Sequence, residues 1–182
     1  MNFETKHVVR WGLPGWVFLI FLLFYMLNHN PGLIIDIRDK DGFSIIGLGA
    51  ILGALGVPIG YLIHQISMVF GFILFTKRNK YFKEEFLIDE KFSNSKAGDH
   101  LRSRYVHLLT RVHELRGLFF SLLLSGLIII TTELLYVQQY NEYFYFIIIT
   151  NFILAVIAFV NQKYFSDNLN FVKRQIKISK TT

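Results

Sequence analysis

Three histidines and four arginines fall within eighteen residues, "HLRSRYVHLLTRVHELRG", from His100 to Gly117. Guanidinium groups pair with carboxylate and phosphate, and imidazole changes charge near neutral pH. This stretch could therefore bind an acidic partner or sense pH. Arg102 and His107 also stand at a spacing used in RNA cleavage. Two further polar residues interrupt apolar runs, Glu133 and Asn151. An ionisable group inside an apolar run is a functional candidate by default.

The RNA-cleaving reading rests on Arg102-x4-His107, the spacing of the HEPN ribonuclease signature. With 8 arginines and 6 histidines in 182 residues, chance supplies about 0.8 such matches over the allowed spacings. On a straight helix the two side chains also stand about 140° apart and do not converge. There is no P-loop, HExxH, GxSxG or paired zinc-ligand motif. Cysteine is absent, which removes disulfide and thiolate chemistry. His100 and His107 are two turns apart rather than one, which is poor spacing for a shared metal. The expectation is a protein that is not an enzyme and carries no metal or cofactor.

A different pattern organises the same residues. His100, Arg104, His107, Arg111 and Glu114 recur at i, i+4, i+7, i+11 and i+14. They share a helical face about 80° wide. About 100° around lies an apolar seam of Leu101, Tyr105, Leu108, Val112, Leu115 and Phe119. The charged stripe reads as a solvated face near anionic headgroups, as a docking surface for an acidic or RNA-bound partner, or as a ring around a vestibule. Direct binding of nucleic acid is not expected.

The chain is 53% hydrophobic, with a mean hydropathy of +0.42. That apolar content is grouped into blocks, which points to membrane spans of about 20 residues each. Four blocks stand at residues 11–28, 44–66 with a continuation to 75, 117–137 and 144–160. The second is too long for one straight span and too short for two, and Pro58 is a natural kink within it. Lys6 and Arg10 precede the first block, but "FYMLNHNPG" offers no small-x-small cleavage site, so it reads as a retained anchor.

Lysine and arginine set the expected orientation. They number 2 before the first span, 2 in residues 28–43, 10 in 76–116, none in 138–143 and 5 after Val160. The positive-inside rule then places both termini and residues 76–116 in the cytosol. Residues 76–116 read as a helical hairpin joined at "SNSKAGD", with Asp99 as a plausible N-cap. Its apolar seam would face Phe70, Ile73, Tyr81, Phe82, Phe86 and Leu87. The tail, 161–182, is basic and carries an amphipathic pattern at Phe165, Leu169, Phe171, Val172 and Ile176 that suits the inner membrane surface.

Small residues mark where the spans could touch. Gly49, Gly53, Gly56 and Gly60 form small-x3-small pairs in the second span, and Gly117, Ser121 and Ser125 repeat the theme in the third. Such positions let backbones approach closely in lipid. They serve either packing within one subunit or an oligomer interface that lines a pore. The short turn after the third span sets Glu133 and Asn151 within about two turns of each other. Glu133 reads either as a glutamate snorkelling to the outer interface or as a functional carboxylate.

Taken together, "RWGLPGW" opening the first span, "GVPIGYLIHQ" in the second and the Arg/His-rich helix before the third resemble one CRISPR accessory family. It comprises the small four-span membrane proteins encoded beside the RNA-guided RNase of type VI-B systems. The resemblance covers most of the chain as architecture. It implies a membrane component of antiviral defence that modulates, or acts downstream of, that nuclease, and it transfers no catalytic residue. The expected molecule is all-α and polytopic, with four spans in the inner membrane. It is a homo-oligomer whose partners are the lipid bilayer and a guided RNase.

Overall fold

The computed structural model describes residues 3–32, 45–74, 77–94, 98–136 and 142–178. Five α-helices account for nearly all of them: α1 (Phe3–His29), α2 (Ile45–Met68), α3 (Arg78–Asn94), α4 (Gly98–Tyr136) and α5 (Glu142–Ile178). No strand occurs among the described residues. Four helices, α1, α2, α4 and α5, are long and apolar enough to cross a membrane.

Two layers follow from the apolar patterning. In the apolar layer α1 runs antiparallel to α2, and α4 antiparallel to α5. The α1–α2 contact needs glycine. A Cβ on Gly15 would sit 1.8 Å from the Gly56 carbonyl oxygen, and one on Gly60 would sit 1.7 Å from that of Trp11. No other residue lets these backbones meet. The Trp16 indole N–H closes the same seam, donating to the Gly53 carbonyl at 2.9 Å. Between α4 and α5, Leu122 packs on Ala155 and Ala158, while Ile129 packs with Tyr25 of α1 and Phe144 of α5.

Pro58 lies inside α2, and the helix passes through it. A single π-helical turn follows over Val69–Ile73. The Leu74 amide donates to the Val69 carbonyl at 3.1 Å, one residue further back than in an α-helix. Gly71 in that turn lies against Arg116, and a Cβ there would be 2.6 Å from Cδ of the arginine.

The second layer is a three-helix bundle, not the expected hairpin. Ile88 and Phe92 of α3 pack with Tyr105, Leu108 and Val112 of α4 and with Leu169, Val172 and Ile176 of α5. Each such side chain contributes about 1.5–3 kcal/mol by leaving water. The tail is therefore corrected from a surface-lying segment to the third helix of this bundle. No glycine or proline falls between Glu142 and Ile178 to stop α5, and its apolar stripe finds a better partner in the seam of α4.

The seam itself is where the spacing put it, but the face of α3 that meets it is not. Phe82 and Phe86 are 62% and 71% exposed, whereas Ile88 is 1% exposed. The inward stripe of α3 is Tyr81, Glu85, Ile88 and Phe92, spaced i, i+4, i+7 and i+11. A carboxylate on that stripe hid it from a purely hydrophobic reading.

Candidate functional site

Polar side chains gather at three levels along the long helices. In the apolar layer, at the end remote from the bundle, Glu133 of α4 is fully buried. Its Oε2 accepts from the Tyr25 hydroxyl at 2.8 Å and lies 3.1 Å from the His29 Nε2. Its Oε1 has no hydrogen-bond partner. Tyr25 and His29 are one turn apart on α1 and present the same face. Their rings also stack edge to face, with centroids 4.6 Å apart. The snorkelling alternative for Glu133 is thus overturned. The carboxyl turns inward because α1 supplies two polar groups at that depth, and lipid supplies none.

Asn151 does not join Glu133. Its side-chain amide donates to the Ser125 hydroxyl at 2.9 Å, two turns further down α4. Ser125 in turn donates to the Leu122 carbonyl. Ser121 donates to the Pro14 carbonyl of α1. Both serines are fully buried and serve packing within the chain. Gly56 and Gly60 do the same toward α1. Gly49 and Gly53 differ: nothing lies within 4 Å of where their Cβ would be, and with Ala50 and Ala54 they form an exposed small-residue face.

The second level is the junction between the layers. Arg116 is buried there. It reaches Met68 of α2, with Nη2 2.6 Å from the sulfur, and lies against the His113 Nδ1. His64 stacks edge to face on His113, with ring centroids 6.2 Å apart. His64 is thus part of the contact between α2 and α4.

The third level is inside the bundle. Glu85 of α3 accepts from the Tyr105 hydroxyl at 2.6 Å and from the Lys173 ammonium at 3.1 Å. Lys173 lies over the rings of Tyr81 and Tyr105, 5.4 and 5.6 Å from their centroids. Burial pushes the Glu85 carboxyl upward, but the hydrogen bonds from Tyr105 and Lys173 and the lysine charge outweigh it. They hold it below the ordinary carboxylate value. Burial, followed by the Glu85 charge, pushes the Tyr81 phenol up to about 12. One carboxylate thereby ties all three helices of the bundle together.

The sequence-derived stripe lies along the outside of that bundle. His100, Arg104, His107 and Arg111 are exposed, and Glu114 is half-buried. Arg111 pairs with Glu114 at 3.2 Å. Arg102 is exposed on α4 too, and no described contact joins it to His107. No group of three or more metal-ligating side chains occurs among the described residues.

Sequence reasoning found Glu133 and Asn151 but missed Tyr25, His29, Glu85 and Lys173. A signal existed for the first pair. The first and third spans run in the same direction, so the end of one meets the end of the other, where Tyr25 and His29 are polar. No family model matches the chain, and neither does any curated protein or solved structure.

Proposed function

We propose that this chain is a multi-pass accessory protein of CRISPR-linked antiviral defence, which binds a cytosolic protein through its helical bundle and holds it at the inner membrane. The carrying observation is the exposed His100–Arg104–His107–Arg111 face on α4, the helix that continues unbroken into an apolar span. The distribution of lysine and arginine supports a cytosolic bundle with both termini on that side. The expected partner is the RNA-guided nuclease that the resemblance implies, met through acidic protein surface rather than RNA.

Co-expression with that nuclease tests the reading. Changing Arg104, His107 and Arg111 together to alanine removes the nuclease from the membrane fraction and leaves the particle mass of the membrane protein unchanged. Undiminished recovery overturns the docking face.

A second reading is a homo-oligomer that alters membrane permeability. It is favoured by the open Gly49–Gly53 face, since the other small residues are already used within the chain. Dye entry into cells that express the chain with its nuclease is its measurement, and intact membranes under those conditions remove it.

A further inference from the structure

A groove of about 440 Å³ runs between α1 and α5 at the end remote from the bundle. Its walls include Phe21, Phe24 and Asn28 of α1 and Phe146, Ile147 and Thr150 of α5. This size falls within the range of small-molecule sites. No charged side chain lines it. On α1 the lining runs from Ile20 to Asn28, about 12 Å along the helix axis. The groove is therefore long, narrow and parallel to the helices. It opens sideways, since Phe24 and Phe146 at its rim are 62% and 70% exposed.

Tyr143 and Thr150 of α5 and Asn28 of α1 are the polar residues along it, with Asn28 at its end. The side-chain amide nitrogen of Asn28 is buried and has no hydrogen-bond partner. A buried donor left without an acceptor costs about 1–3 kcal/mol. Asn28 is the penultimate residue of α1 and lies at the end of the candidate span Trp11–His29. At that depth the hydrocarbon of a bilayer gives way to the ester carbonyls of its lipids. An ester carbonyl accepts and does not donate, which is what the Asn28 N–H requires. The neighbouring polar groups of α1, Tyr25 and His29, are already turned toward Glu133.

We propose that this groove is a binding site for one diacyl phospholipid. An acyl chain lies along Phe21, Phe24, Phe146 and Ile147, and its ester carbonyl accepts a hydrogen bond from Asn28 Nδ2. The class of ligand follows from the elongated apolar wall, the sideways opening and the unpartnered donor of Asn28 at ester depth. The site rests on the reading of this chain as a membrane protein and is independent of the docking role of the bundle.

Native mass spectrometry of the purified chain in mild detergent tests it, with dioleoyl phosphatidylglycerol and its diether analogue as probes. The analogue lacks both ester carbonyls. The wild type retains one ester lipid several-fold more tightly than the ether lipid. Asn28→Ala abolishes that preference, Ile147→Trp removes the tight lipid, and Leu62→Trp on the exposed face of α2 changes nothing. Equal retention of the two lipids by the wild type overturns the proposal with no variant required. So does undiminished preference in Asn28→Ala, which would mean annular lipid only. A dimer whose mass collapses in Ile147→Trp would place a second copy in the groove and also overturn it.

Discussion

Glu85 and Glu133 are both carboxylates on inward faces, but their surroundings differ. Glu85 sits outside the apolar layer, and hydrogen bonds from Tyr105, Lys173 and Tyr81, with the lysine charge, outweigh its desolvation. Because its folded value lies below the ordinary one near 4.5, it stabilises the bundle at neutral pH, and that contribution fades as pH falls through the acidic range below 4.5. Glu85→Gln should cost about 1–2 kcal/mol at pH 7. Thermal unfolding of the two proteins should converge on acidification. Glu133 is held instead by Tyr25 and His29, with one oxygen unmatched. Its burial was legible only with α1 read beside α4, because depth along α4 alone does not say whether a neighbouring helix offers polar company.

At the scale of elements, glycine usage separates two faces of one helix. Gly60→Leu would drive a side chain into the Trp11 carbonyl and should cost more than the roughly 1–3 kcal/mol of ordinary overpacking. A Cβ on Gly49 meets nothing within 4 Å, so Gly49→Leu should hold or slightly raise the unfolding midpoint. Size-exclusion profiles and melting curves of the two variants read the difference. The four long apolar helices were legible from block length alone, and the seam of α4 from its spacing. The partner face of α3 was not, because Glu85 breaks the apolar count on the stripe that is in fact buried. The extent of α5 was readable in principle: thirty-seven residues without a glycine or proline have no reason to stop at the end of the apolar run.

For the whole molecule, the bundle joins two helices adjacent in sequence, α3 and α4, to the distant end of α5 through one shared core. Leu169→Asp places a carboxylate among Tyr105, Leu108 and Val172 and should cost about 3 kcal/mol or more. Phe171→Asp, two residues on at an exposed site, should be nearly neutral. Limited proteolysis should cut α3 rapidly in the first variant and at the wild-type rate in the second, while both remain in the membrane fraction. Because α4 and α5 are single helices through both layers, they act as stiff rods about 55 Å long. The third connection between the layers differs, since α2 ends in the π-helical turn at Val69–Ile73 rather than running on as one α-helix. A sideways load at the tip of the bundle is thus delivered as tilt at the Glu133 end. In this geometry α4 and α5 work as levers, each joining one end of the molecule to the other.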